Sequence, residues 1–445
     1  MSLAARLRLR LVLVALLSFT LSLPLLFAQQ PPTLSRIDRE RAEDMLQVIG
    51  NDMRKHYYDP RFHGVDWDAN LKLAKAKIEK ADTNGRAFSE IAAALDVLND
   101  SHTFFLPPQR AIRHDYGWQR QMIGEHCFII RVRPGSDAEA KGVKPGDEVL
   151  SINGFAPDRA NSWKMDYVYN VLRPQPALNL ELRDPAGAAR KSEVLAKITE
   201  TKHVFDLTGE NSDIWDLVRE GEADRRLSGW RSETFGDDLM ILKFPQFFFS
   251  APQIDDLLAK VRKQKALILD LRGDPGGSVD VLRQFLGGMF ENEIKIGDRV
   301  GRDNHKPMTT KKPRDPYTGK LVVLVDSRSA SAAELFARVV QIEKRGIVMG
   351  DHSSGSVMES KRYPYQIGAE TIVFYGASIT DADILMSDGK SLEHVGVSPD
   401  EVVLPSASDL ATDRDPVLAH AAQSLGIHLS PEKAGKLFPY EWPKD

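Results

Sequence analysis

The stretch KALILDLRGDPGGS, residues 265–278, holds a short apolar run that stops abruptly in a cluster of turn-forming residues. A continuous run of this length, bounded by Pro and Gly, reads as a strand buried on both faces rather than on one. Asp274, Pro275, Gly276 and Gly277 would by themselves make a sharp turn after it. A helix is expected next, near Val279 to Phe290. The same alternation extends in both directions. DDLMILKF (237–244) is followed by helical spacing near Pro252 to Arg262, KLVVLV (320–325) by a helix headed by serines, and GIVMGD (346–351) closes the series. Strands alternating with helices imply an α/β domain with buried, largely parallel strands.

Upstream the texture differs. AEDMLQVIGNDMRKHY, WDANLKLAKAKIEKA and AFSEIAAALDVLND carry helical periodicity within residues 35–106, separated by YYDPRFHGVD and DTNGR, and point to a small helical domain ending at DSHTFFLPP. From Gly117 to about Lys197 the chain turns to β-like runs, CFIIRV, EVLSI and LNLELR, punctuated by PGS, KPGD, NG and DPAG. Near the C-terminus, DPVLAHAAQSLG has Asp415 and Pro416 as an N-cap and first-turn proline, and Gly426 as a stop. No internal repeat or low-complexity tract interrupts this order.

The chain has 445 residues, 42% hydrophobic and 27% charged, enough for two or three globular domains. A net charge of -4 and a pI near 6.3 argue against a nucleic-acid partner, which usually demands a basic face. At the N-terminus, Arg6, Arg8 and Arg10 precede an apolar run from Leu11 to Phe27, and Ala28 ends it before Gln29. This is a secretory signal layout; the other reading is an uncleaved anchor helix, since the run approaches spanning length. Cys127 is the only cysteine, so the fold cannot depend on an internal disulfide, and thiolate metal sites are excluded. Lying in CFIIRV, Cys127 is expected in a core.

SRSASAAELFARVV, residues 327–340, puts three serines before a helix with the apolar stripe Leu335, Phe336, Val339 and Val340. One serine would suffice as an N-cap, and Glu334 completes an [ST]-x-x-[DE] capping pattern with Ser331. The other reading is a nucleophile, with small neighbours that let a substrate backbone approach and the helix dipole beside a developing oxyanion. Capping and catalysis can share one helix end.

Together, GSDAEAKGVKPGDEVLSING (135–154), LILDLRGDPGGS (267–278) and SRSASAAELFARVVQIEKRGIVMGD (327–351) resemble the C-terminal processing, or tail-specific, peptidases and their tricorn-core relatives. The first stretch is similar to the core of a PDZ domain, the other two to the peptidase core. The resemblance, which covers roughly residues 40 to 405, implies a multidomain α+β fold that follows the signal peptide read at 1–28, with an N-terminal helical domain at 31–115 and a PDZ-like β-rich domain at 116–200. A Clp-protease/crotonase-like α/β spiral peptidase core at 205–405 and a C-terminal helical extension at 406–445 complete it. It places the nucleophile on Ser331. Gly276 or Gly277, with the N–H of Ala332, would form the oxyanion hole.

The chain departs from the tail-specific pattern where that pattern has its general base. A lysine is expected about twenty-five residues after the serine, in a glycine-flanked segment; here GDHSSGSV carries Ser356. A serine hydroxyl does not accept a proton near neutral pH. The tricorn-like branch uses a histidine before the PDZ domain with a serine beside it, and DSHTFF supplies Ser101 and His102. The matching glutamate is Glu393 in SLEHVGVSPD, 62 residues after Ser331. His102 would be base, Glu393 its orienting acid and Ser101 a relay, a Ser-His-Glu arrangement defined by roles rather than order. Taken singly, His102 reads as a surface histidine and Glu393 as a loop carboxylate. Although His352 and His394 lie near these motifs, neither HExxH nor paired-cysteine spacing is present, so no metal or other cofactor is expected.

The function implied is a secreted or periplasmic serine endopeptidase acting on protein or peptide substrates through an acyl-enzyme, with the PDZ module for recognition. The alternative is a non-catalytic PDZ-containing scaffold, or a core that binds small ligands.

Overall fold

The structure, a computed structural model, describes residues 34–200, 229–312, 315–368 and 372–442. The expected signal segment at 1–28 and most of the connector after residue 200 lie outside the described residues.

Three helices open the described chain: α1 (Arg36–His56), α2 (Trp67–Ile78) and α3 (Asn84–Asp96). Each is capped by the side chain the sequence offers, Ser35, Asp66 and Thr83 in turn. On α1 the buried Ala42, Met45, Leu46, Ile49 and Met53 follow helical spacing and form one apolar face. Stacked Tyr57, Phe62 and Trp67 rings, 5.6 and 5.0 Å apart, fill the join to α2. Two short strands follow, β1 (Phe104–Leu106) and β2 (Ile112–Asp115).

The module expected to be PDZ-like is a five-stranded antiparallel sheet of β3 (Trp118–Ile123), β4 (His126–Val132), β5 (Glu148–Ile152), β6 (Ala177–Arg183) and β7 (Ala189–Leu195) in that order, with α4 (Asp137–Ala140) and α5 (Ser162–Tyr167). Cys127 lies in its core with Met122, Ile129, Val149 and Leu180, and burial raises its thiol above the ordinary value. β3 is an edge strand. β8 (Lys197–Glu200) returns to pair with β2.

The core carries a six-stranded sheet. β9 (Arg231–Phe235) runs antiparallel to β10 (Leu239–Lys243), and after α6 (Ala251–Val261) β11 (Ala266–Asp270) lies parallel to β10. All five residues of β11 are buried, as expected of a strand covered on both faces. The chain continues through α7 (Val279–Gly287) and then β12 (Lys295–Gly301) and β13 (His305–Thr309), which join a second sheet. It returns by β14 (Lys320–Val325), α8 (Ala332–Ile342) and β15 (Ile347–Gly350). β16 (Met358–Ile367) and the fourteen-residue β17 (Val373–Met386) leave again, and β18 (Glu401–Val402) ends the first sheet, whose order is β18-β15-β14-β11-β10-β9. From β10 to β18 every pairing is parallel and each new strand adds on the same side, so the chain winds as a spiral. Apolar side chains of α6, α7 and α8 cover one face. On the other lie α10 (Pro416–Ser424) and α11 (Pro431–Gly435), which follow α9 (Ala407–Ala411).

The second sheet, antiparallel and ordered β1-β17-β12-β13 with β16 on β17, has no counterpart in the sequence reading. Its hydrophobic face shares a core with α1–α3 through Tyr375, Ala377 and Ile379. The pairing of β1 with β17 therefore carries the segment before β1, which contains His102, to the core domain.

Candidate active site

Ser331 lies between the end of β14 and the start of α8, in the left-handed region at φ 54°. A non-glycine residue held there is strained, and such turns from strand to helix lift a side chain clear of its neighbours. The surroundings hold it firmly. Its N–H donates to Ser356 C=O at 2.8 Å and to Glu334 Oε2 at 3.0 Å, and Leu335 N–H donates to its C=O at 3.0 Å. Glu334 is wholly buried and gathers three further donors: Ser353 Oγ at 2.5 Å, Gly355 N–H at 2.7 Å and Ser356 N–H at 3.0 Å. Burial pushes its carboxyl up to about 7, against these four donors, which favour the charged form.

The turn after β11 packs directly beneath. A Cβ on Gly276 would come 2.7 Å from Ser331 Cβ and 2.8 Å from Ala332 N. One on Gly277, at φ +144°, would strike the backbone of Phe247. Only glycine fits both places. Gly276 N–H is taken by Asp274 Oδ1 at 2.7 Å. Gly277 N–H and Ala332 N–H have no acceptor among the described residues.

Glu393, Ser101 and His102 are joined in one chain of hydrogen bonds. Ser101 Oγ donates to Glu393 Oε2 at 2.9 Å and lies 2.8 Å from His102 Nδ1; Ser101 N–H donates to Glu393 Oε1 at 2.9 Å. A hydroxyl has one proton, and an ionised carboxylate can only accept. With that proton directed to Glu393, Nδ1 of His102 must be the N–H donor to Ser101, which leaves Nε2 bare. Burial lowers the His102 pKa, opposed by the charge of Asp100, and so favours the neutral base. Burial also raises the Glu393 pKa, opposed by the N–H groups of Ser101 and Val357, the Ser101 hydroxyl and His394.

Asp100 escaped the sequence reading. It accepts from His102 N–H at 2.8 Å, Thr103 N–H at 3.1 Å and Thr380 Oγ1 on β17 at 2.7 Å, fixing the main chain of the histidine to the second sheet. The available signal was an aspartate two residues before the histidine, a placement typical of side chains that bond their own turn.

Ser331 Oγ is not hydrogen-bonded to His102; among the described residues the two halves meet through the backbone of residues 356 and 357. Ser356 C=O takes the N–H of Ser331, and Val357 N–H donates to Glu393 Oε2 at 2.8 Å. Ser356 Oγ itself reaches only Ser354 Oγ, at 2.9 Å. Lys361 is paired with Asp381 at 2.6 Å on the solvent side of β16, and Lys390 is exposed. His394 bonds Asn99 C=O at 2.7 Å, and His352 lies against Ser353 C=O at 3.1 Å. No group of three metal-ligating side chains occurs among the described residues.

The β3–β7 module rests on the loops that carry this site. Ser327 Oγ donates to Met122 C=O at 2.5 Å, and Gln121 Nε2 to Asp326 Oδ2 at 2.7 Å. Arg159 Nη2 donates to both carboxylate oxygens of Asp351, at 2.8 Å each. A cleft of about 1030 Å³ runs between β3 and the C-terminal ends of β10, β11 and β14, past Gly273, Pro275 and Arg328. Ser331 and His102 are not among its lining residues, so it follows the outer side of the loop that carries Ser331.

Three family models match the chain: peptidase family S41 over residues 238–403, the tricorn protease C1 domain over 38–89 and the PDZ domain over 111–182. The carboxyl-terminal-processing protease of Picosynechococcus sp. is 24% identical over 87% of this chain and 89% of its own length. The tail-specific protease of Haemophilus influenzae is 25% identical over 66% of this chain, and the match spans 41% of that relative. Among solved structures, mature CPAF superposes with a TM-score of 0.62 at 15% identity, covering 84% of this chain and 94% of the other. The photosystem II D1 C-terminal processing protease gives 0.51 at 17% identity, covering 89% and 99%. These two support the fold.

Proposed function

Since the chain belongs to peptidase family S41, we propose that it is an exported serine endopeptidase that cleaves protein or peptide substrates through an acyl-enzyme, with Ser331 as nucleophile and His102 as base. The observation that carries this reading is the continuous hydrogen-bonded chain Glu393–Ser101–His102, closed between residues 292 apart in sequence. It gives the imidazole one orientation and one tautomer, which a surface histidine would not need.

His102 Nε2 takes the proton of Ser331 Oγ as that oxygen attacks the substrate carbonyl. The imidazolium gives the proton to the departing amine, and a water activated by the same nitrogen then releases the acyl group. Glu393, through Ser101, offsets the charge that appears on His102. The N–H groups of Gly277 and Ala332 are the donors for the oxyanion, with Gly276 keeping the space open. Closing Ser331 Oγ onto Nε2 is left to the substrate complex, where catalytic hydrogen bonds tighten. A peptide adding to the free edge of β3 would run toward the nucleophile loop, which touches that strand at Met122.

Export follows from the charged and apolar N-terminal layout, with the mature chain beginning near Gln29; among the described residues no helix is long and apolar enough to cross a membrane. Labelling by a fluorophosphonate probe tests the catalytic reading: it should require both Ser331 and His102. Labelling that persists in Ser331→Ala would contradict it. N-terminal sequencing of exported protein tests the rest, and an intact Met1 on membrane-bound material would count against cleavage.

A further inference from the structure

The turn beneath Ser331 contains a carboxyl group that the reaction above does not use. Asp274 is wholly buried. Its Oδ1 accepts Gly276 N–H at 2.7 Å, and its Oδ2 has no hydrogen-bond partner among the described residues. Its main chain ties the glycine turn to the nucleophile loop: Ala330 N–H donates to Asp274 C=O at 2.9 Å, and Asp274 N–H to Leu271 C=O at 3.1 Å. The glycine whose N–H it holds is the one seated against Ser331 Cβ and Ala332 N. That side chain therefore fixes the Pro275–Gly276 peptide, while the next peptide is held by Phe247 N–H donating to Gly276 C=O at 2.8 Å and leaves the N–H of Gly277 without an acceptor.

A carboxylate with one buried oxygen lacking any donor is costly, and the neutral acid is the cheaper form there. Two charged groups from neighbouring elements act on it, Lys243 from β10 and Asp326 from the loop after β14. Lys243 is already engaged, with Nζ 2.6 Å from Arg272 C=O and 3.2 Å from Asp270. Burial pushes the Asp274 carboxyl up to about 8; the Gly276 N–H and Lys243 oppose the shift and Asp326 adds to it. A negative charge at this point would face the oxyanion only as it forms, so its cost would appear in turnover rather than in substrate binding.

Resting on the peptidase reading above, we propose that Asp274 is a positioning residue of the oxyanion turn: held as a neutral acid, it fixes Gly276 N–H inward, one peptide before the Gly277 N–H left for the substrate oxygen, without placing a second negative charge beside it. The bond to Gly276 makes the turn rigid, and the proton keeps the site uncharged. Ionisation of Asp274 then limits the reaction on the alkaline side.

The test is the pH profile of kcat and KM for the full chain and for Asp274→Asn and Asp274→Ala, on an unfolded protein substrate. The wild type should lose kcat on the alkaline side near pH 8, the value to which burial moves this carboxyl. Asp274→Asn keeps the acceptor for Gly276 and cannot ionise, so it should stay within about threefold at neutral pH and lack that limb. Asp274→Ala should lose about 10²-fold in kcat with KM little changed, as for loss of one oxyanion donor. The proposal is overturned if Asp274→Asn loses as much as Asp274→Ala at neutral pH, or keeps the same alkaline limb. Should Asp274→Ala not fold, the Asn variant's profile decides alone. Failure of the underlying peptidase reading has its own signature: no Ser331-dependent fluorophosphonate labelling at any pH, in wild type or Asp274→Asn, which removes the proposal with it.

Discussion

The N–H of Ser331 donates to the carbonyl of Ser356 at 2.8 Å, and Glu334 Oε2 accepts the N–H of both residues at 3.0 Å. By the resemblance, Ser356 falls where the tail-specific pattern has its lysine, yet what it gives Ser331 is backbone. The segment is a backbone clamp on the start of α8, and the proposed mechanism takes its proton acceptor from His102 instead.

Ser356→Ala should therefore keep activity within about tenfold, roughly 1.4 kcal/mol of barrier. Ser356→Pro, which deletes the N–H held by Glu334, should be far more damaging. Steady-state turnover of the two variants separates side chain from backbone; a dead alanine variant would mean that the hydroxyl takes part in chemistry.

Removing Glu334 leaves three donors, Ser353 Oγ and the N–H groups of Gly355 and Ser356, without an acceptor in a buried place. Glu334→Ala should cost about 3 kcal/mol or more in stability. Turnover should fall as well, because Ser331 loses one of its two anchors. Urea denaturation followed by tryptophan fluorescence reads the first effect, and an unchanged midpoint would contradict the account.

Ser101→Ala breaks the link between Glu393 and His102 without touching either. A loss of about 10²–10⁴-fold in kcat is expected, the usual range for general-base assistance. The wild-type acid limb should lie below the ordinary histidine value, since burial disfavours the imidazolium. Normal turnover in Ser101→Ala would remove the relay from the mechanism.

Stability should also depend on pH through Asp274. Its folded value, about 8, lies above the unfolded carboxyl value of about 3.9, so the native state holds the proton more tightly. The stabilisation this gives is complete below the unfolded value and is lost as pH rises through the folded one. Relative to wild type, Asp274→Asn should thus gain stability from about pH 4 to about pH 8 and level off above. Denaturation midpoints of the two proteins across that range check the sign; a constant difference would contradict it.

The alternation around β11 and β14 was legible because strands buried on both faces leave unbroken apolar runs. The second sheet was not. β16 and β17 mix buried and exposed positions, and their pairing with β1 depends on partners far away in sequence. Ser331 and its capping Glu334 could be read from a local motif. Ser101, His102 and Glu393 came into view through a family resemblance, since nothing local in DSHTFF or SLEHVGVSPD demands that they meet. Asp274 was read only as a turn former; its burial and its unpartnered oxygen arise from tertiary packing that no local motif records.

The central claim is that a histidine brought from before the PDZ module, and no lysine, is the base for Ser331. Its most direct test is kcat for His102→Ala, Ser331→Ala, Lys361→Ala and Lys390→Ala on an unfolded protein substrate, each variant first checked for folding by circular dichroism. The account predicts that His102→Ala and Ser331→Ala each lose on the order of 10⁶-fold, that combining them is hardly worse, and that both lysine variants stay near wild type. Near-normal turnover in His102→Ala, with a lysine variant inactive, would contradict it.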